Sequence, residues 1–237
     1  MLELQADYEY RGGSYNQAVA SYIELERRDT ANSTFYKVRR AMALYLKEDY
    51  TAALAAFDEV LPKLTPNPER YRGFDLTYTA GVAVVSAYEA GNRPKAEGYR
   101  KQFKTLLEAN SETAAWLDLN EGKYYARMDA AKAVKLLSKL AEAVTTPVDM
   151  QLQARFWLGV AYINDGKPDK AAEAFNDMLS RTSDPELMAP ARLKLGTLAF
   201  SGKDYEKALE HYAWVIELDS GELALDAMQN YAVVCKT

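Results

Sequence analysis

The sequence predicts an all-α fold of helical hairpins in tandem, and three observations predict it. A small residue recurs at Ala18, Ala53, Ala96, Ala133, Ala171 and Ala208, at intervals of 35, 43, 37, 38 and 37 residues, the range of helical-repeat arrays. Twelve residues before each stands Ala6, Ala41, Val84, Glu121, Gly159 or Gly196. Turn signals separate the two positions, and the flanking segments carry apolar residues at i, i+3, i+4 and i+7 without the two-residue alternation of a strand.

Six hairpins follow in order, over residues 1–31, 32–68, 74–110, 111–147, 148–184 and 185–220, with a terminal helix at 221–237, from about Glu222 to Val234. Within each, Gly12-Gly13-Ser14, Glu48-Asp49, Gly91-Asn92, Met128-Asp129, Gly166-Lys167-Pro168 and Gly202-Lys203-Asp204 mark the turn. Gly closes the first helix in a left-handed conformation, Ser or Asp caps the second, and Pro fits its first turn. Thr65-Pro66, Thr146-Pro147 and Asp184-Pro185 break the chain between hairpins. The small residues let two backbones approach, and an aromatic four residues after the Ala (Tyr22, Phe57, Phe175, Tyr212) fills the adjoining gap. In the third and fourth hairpins Arg100 and Leu137 replace it and Glu121 occupies a small-residue position, so these two should be irregular. The 43-residue interval places extra residues near Leu64 to Asp75, with Pro66, Pro68, Arg70 and Arg72, as a longer surface loop or longer helices, with a contact site as the alternative.

Composition removes many functions. One histidine, His211, and one cysteine, Cys235, leave too few ligands for a Cys/His zinc site and no partner for an internal disulfide. A net charge of −5 gives no basic stripe for nucleic acid. Residues 161–237 hold 13 acidic and 8 basic side chains, while the first 160 balance at 21 each. The acidic excess reads as a solvated face, with steering of a basic partner as the alternative. No apolar run is long enough to enter a membrane.

The segment Leu158-Gly159-Val160-Ala161-Tyr162 with Gly166 and Ala171, and Leu195-Gly196 with Tyr205, Ala208 and Tyr212, resemble the tetratricopeptide repeat (TPR) family over nearly the whole chain. The resemblance implies a single domain, a right-handed α-solenoid whose concave groove is lined by the first helix of each hairpin. Spacing of 36 to 38 residues with Asp-Pro-Glu or Asp-Ser-Gly-Glu linkers is more similar to the longer-repeat TPR arrays of bacterial cell-envelope proteins than to 34-residue co-chaperone repeats, and an envelope location is expected over the cytoplasm if a signal segment precedes Met1. The last helix, which stops at Thr237 without a partner, reads either as a capping helix or as the cut edge of a longer array, and the first helix, beginning only five residues before Ala6, favours a fragment of a longer protein.

The function this implies is a protein-protein interaction scaffold that binds a partner protein or peptide. Four residues after each small position of the first helices come Tyr10, Tyr45, Tyr88, Tyr125, Ile163 and Phe200, a position that tends to face the groove in TPR proteins. Met42, Val85 and Phe156 join them as candidate groove residues. Packing between hairpins is the competing reading of the same tyrosines. The carboxylate-clamp positions of co-chaperone TPRs are occupied here by Phe35, Val38, Met42, Tyr78, Gly81 and Val85, with Arg39 the only suitable cation, so that function is not supported. A self-assembly module is the alternative, using Ala224, Leu225, Met228 and Val234 of the terminal helix, and a monomer or weak homodimer is expected.

No residue pattern points to an enzyme, a cofactor or a metal. Gly196 to Lys203 has five residues between its glycines and Asp204 where a phosphate loop needs Ser or Thr. His211 reads as a partly exposed helix residue. Cys235, in an apolar run, reads as a buried or interface thiol. Asn32-Ser33-Thr34 is a glycosylation acceptor only in a secreted eukaryotic protein. The pairs Asp58-Glu59 and Glu24-Glu26 lie on helix faces without a pocket signal.

Overall fold

A computed structural model describes residues 1–67, 73–218 and 221–237. The sequence-predicted Pro68, Arg70 and Arg72 lie outside the described residues. The chain forms two compact units, Met1–Tyr124 and Tyr125–Thr237, and the described residues of both are helices joined by short connections, without strands. This is an all-α repeat fold.

The first unit holds α1 (Leu2–Arg11), α2 (Tyr15–Arg28), α3 (Ser33–Leu46), α4 (Tyr50–Val60), α5 (Leu76–Glu89), α6 (Arg93–Gln102) and the short α7 (Lys104–Glu108). α8 (Ser111–Met128) contains the division between the units. The second unit continues with α9 (Ala130–Glu142), α10 (Val148–Asn164), α11 (Pro168–Leu179), α12 (Pro185–Ser201), α13 (Tyr205–Leu218) and α14 (Glu222–Val234). Each helix packs on its sequence neighbour, α1 on α2 through α4 on α5 in the first unit and α9 on α10 through α13 on α14 in the second. α3 also reaches α5, and α12 reaches α14.

The six recurrent alanines are all fully buried, which fits their place at close helix crossings. The gaps are filled by rings. At Gly159 an added Cβ would lie 2.6 Å from the Phe175 ring, and at Gly196 it would lie 2.5 Å from that of Tyr212. In the third hairpin the pairing is inverted: the larger Val84 is fully buried, and Arg100 turns away to α8, bonding Asp118 at 2.5 Å and Glu121 at 2.7 Å.

Caps explain most helix starts. Asp49, Asp75, Asn92, Asp129, Asp184 and Asp204 each accept a backbone N–H of the first turn, satisfying a donor the helix itself cannot. Two turns differ from the sequence expectation. Ser14 makes no side-chain cap; the Gly13–Ser14 turn is held by backbone bonds, Ser14 N to Glu9 O at 2.8 Å and Ala18 N to Ser14 O at 3.0 Å. Gly202 keeps φ at −79°, and the left-handed residue is Lys203 at φ 63°. Glu48 occupies the equivalent place at φ 64°, so this turn imposes its backbone on whatever residue the register delivers.

The expected irregularity of the middle hairpins holds for one of them. The second helix of the third stops at Gln102, with Phe103 at φ −106° and ψ 18° before α7. Its end is tied to the preceding connection, since Gln102 Nε2 donates to the carbonyls of Leu61 at 2.9 Å and Leu64 at 3.3 Å. The fourth is regular, with helices of 18 and 13 residues. Glu121 finds a cation in Arg100, so the charge at a small-residue position is compensated instead of breaking the helix.

Candidate functional site

The residues singled out from sequence divide into two groups by burial. Tyr88, Val85, Met42 and Tyr125 are 2, 3, 6 and 7% exposed, so their side chains serve the core and offer almost no surface. Tyr10, Tyr45, Phe156, Ile163 and Phe200 are half-buried. Three of these close their own hairpin: Tyr10 meets Tyr15 with ring centroids 6.2 Å apart, Tyr45 meets Tyr50 at 5.9 Å, and Phe200 meets Tyr205 at 5.9 Å. In these three hairpins the aromatic near the end of the first helix thus clasps the aromatic that begins the second, a five-residue spacing visible in the sequence. Burial pushes the Tyr45 phenol up to about 12. Phe156 packs on Phe175, with centroids 5.6 Å apart. Packing accounts for most of the aromatic positions.

A partly different set, which shares Tyr10 and an edge of Met42 with the first, lines an opening in the first unit where α1, α3 and α5 meet the Gly73–Asp75 segment. A cleft of about 190 Å³ is lined by Tyr10 of α1, Val38, Arg39 and Met42 of α3, Phe74, and Tyr78 of α5. Tyr78 is 50% exposed and stacks on Trp116 of α8, with an interplanar angle of 25° and centroids 6.3 Å apart. Trp116 can lie this close because Gly81 has no side chain: a Cβ there would meet the indole at 2.7 Å. Sequence reasoning missed Trp116 and Phe74. Gly81, one turn after Tyr78, was the available signal for the indole.

Arg39 stands between the Tyr10 and Phe35 rings, with the guanidinium carbon 5.4 and 5.2 Å from their centroids. Such stacking is worth about 0.5–2 kcal/mol per contact, depending on desolvation. Its Nε is buried without a hydrogen-bond partner among the described residues. Asp75 also lines the cleft, and its carboxylate caps α5 by accepting the Tyr78 N–H at 3.0 Å. The arrangement can hold a side chain by shape, ring contact and one planar cation.

In the second unit His211 lines a cleft of about 630 Å³ together with Asn176, Leu195, Leu198 and Lys207. It is half-buried, as its helix position predicts, and burial, reinforced by the Arg192 charge, holds its imidazole below the ordinary histidine value. Lys207 is occupied by Asp204 at 2.7 Å. Cys235 is exposed, which removes the buried one of its two readings, a buried or an interface thiol, because Val234 takes the inward position at the end of α14. Among the described residues no group of three His, Cys, Asp or Glu could hold a metal ion, and no helix is long and apolar enough to cross a membrane.

Comparison with known proteins agrees with this architecture. The sequence model described as Tetratricopeptide repeat matches residues 4–68 and 123–187, together more than half of the chain. The TPR repeat-containing protein MJ1428 of Methanocaldococcus jannaschii is 27% identical over 230 residues, covering 91% of this chain and 37% of that protein. The chain therefore spans little more than a third of that relative. Among solved structures, the C-terminal part of a TPR repeat-containing protein from Cytophaga hutchinsonii superposes with a TM-score of 0.57 at 18% identity, covering 100% of this chain and 96% of that one. The apo form of the quorum sensor NprR from B. thuringiensis gives a TM-score of 0.63 at 16% identity, covering 99% and 69%. At these identities the likeness concerns the fold alone. With its recurrent small residues buried at the helix crossings and the family's sequence pattern over both halves, the chain belongs to the tetratricopeptide repeat family, whose fold generally serves as a protein-protein interaction scaffold.

Proposed function

We propose that the chain binds a partner protein through the face made by α1, α3 and α5 of the first unit. One observation carries this reading: Tyr78 and Trp116 form a stacked aromatic surface beside the Arg39 cleft, whereas of the clasping aromatics only Tyr10 also lines that cleft. Aromatic and arginine side chains supply most of the energy at protein interfaces, because they bury large areas at low entropy cost. The partner we favour is an extended peptide segment that places apolar side chains on these rings.

The test is affinity capture from extract of the source organism, comparing the wild-type chain with Tyr78→Ser/Phe35→Ser after circular dichroism has shown the variant folded. A partner retained by the first and lost by the second supports the reading. Equal capture by both moves the site elsewhere.

A second reading is self-association. On α14, Leu225 and Met228 are exposed while Ala224 and Val234 face the core. Leu225→Glu/Met228→Glu would then lower the sedimentation coefficient at tens of micromolar chain. A wild-type chain that stays monomeric there excludes this role.

A further inference from the structure

We infer that the Arg39 cleft takes the side-chain carboxylate of an acidic residue flanked by apolar residues, within the peptide segment of the partner. This rests on the reading that the α1, α3 and α5 face binds a partner, and it adds the chemistry of the anchor.

Three observations carry it. First, Arg39 has no ion pair among the described residues, unlike the other half-buried arginines of the first unit. Arg40 has Glu59 at 2.8 Å, and Arg100 has Asp118 and Glu121. A guanidinium fixed between two rings, with a buried Nε left unpaired, has already lost most of its rotamer freedom and part of its hydration. It is therefore preorganised for a planar acceptor, and a carboxylate matches its fork. Second, the cleft volume of about 190 Å³ admits one side chain and the atoms beside it. Third, Tyr10 on α1 and Tyr78 on α5 wall the cleft from two elements. A chain with apolar residues on both sides of its acid covers both walls, whereas a chain that ends at its carboxylate covers one. Asp75 on the same cleft adds a negative charge that disfavours a dianion such as a phosphate and tolerates a single carboxylate.

The test uses the full 237-residue chain and pools of capped peptides, acetyl-Gly-Xaa-Glu-Xaa-Gly-amide, with Xaa drawn from Leu, Ile, Phe and Tyr. Matched pools carry Gln or phosphoserine in place of Glu, or end in a free carboxylate after a Gln core. Binding is read from the side-chain Nε–H resonance of Arg39, assigned by its absence in Arg39→Lys, and from titration of backbone amides. The expected result is that the Glu pool shifts the Arg39 resonance and binds about tenfold more tightly than the Gln pool. Arg39→Gln, shown folded by its melting curve, should bind Glu and Gln pools alike, and Arg39→Lys should keep part of the preference.

Equal binding of Glu and Gln pools by the wild-type chain overturns the carboxylate assignment while leaving the aromatic-face reading intact, provided Tyr78→Ser weakens both. Tighter binding of the free-carboxylate or phosphoserine pool overturns the choice of an internal acid. No response of Arg39 to the Glu pool at about 5 mM, a concentration that reveals even millimolar affinity, overturns the proposal outright.

Discussion

At the scale of single residues the fold turns on complementary sizes at the helix crossings. Gly159 faces the Phe175 ring with no room for a Cβ, so Gly159→Val should destabilise the chain by about 2–3 kcal/mol, the cost of forcing extra carbon into a packed core. Chemical denaturation measures this, and an unchanged midpoint would mean that the ring simply swings aside. Lys203 pays the cost of a left-handed backbone at φ 63°, which glycine adopts freely. Lys203→Gly should therefore raise stability by about 0.5 kcal/mol, the strain relieved slightly exceeding the added entropy of the unfolded chain. His211 makes the third case. Its folded value is lowered by burial and by Arg192, so the unfolded chain binds the proton more readily. Its contribution is full above the ordinary value of about 6.5 and is lost as pH falls through the lower folded value. The difference in melting temperature between wild type and His211→Gln should change as the pH is lowered from about 7.5 to 5.5, the wild type losing more. As the sole histidine, its ring resonances give the folded value directly, and a titration at or above 6.5 would contradict this.

At the scale of elements, the joint between α6 and α8 is held by charge where the corresponding gaps of four other hairpins are filled by the buried rings of Tyr22, Phe57, Phe175 and Tyr212. Arg100, with 23% of its side chain exposed, bonds Asp118 and Glu121, and burial raises the Glu121 carboxyl above the ordinary range, opposed by Arg100 itself. Removing the cation leaves two acids together, so Arg100→Leu should cost about 1–3 kcal/mol at neutral pH and less at pH near 5, where protonation relieves the repulsion. Urea titrations at the two pH values check this. The helices were legible in the sequence because their signals are local: caps such as Asp49 and Asp204, and alanines at a fixed phase. The interruption after Gln102 was legible only in part, since the sequence shows that Arg100 breaks the aromatic pattern but not that Gln102 reaches back to Leu61 and Leu64. The regularity of the fourth hairpin was hidden for the same reason, because the partner of Glu121 lies 21 residues away.

At the scale of the whole molecule, the same limit governs the site. The periodic aromatics Tyr10, Tyr45 and Phe200 share a phase in the repeat, and phase alone cannot separate a ring that clasps its hairpin from one left for a ligand. Tyr88 and Tyr125 have that phase too and are buried. The open surface uses residues whose value depends on what lies next to them: Tyr78 on Trp116 over Gly81, and Arg39 between Tyr10 and Phe35. The most direct test of the account places a photoreactive benzoylphenylalanine at Tyr78, or at the exposed Gln17 of α2 as a control, and irradiates the chain in extract of the source organism. The account predicts a discrete crosslinked partner from position 78 that is absent from position 17. The same partner crosslinked from position 17 and not from 78 would contradict it.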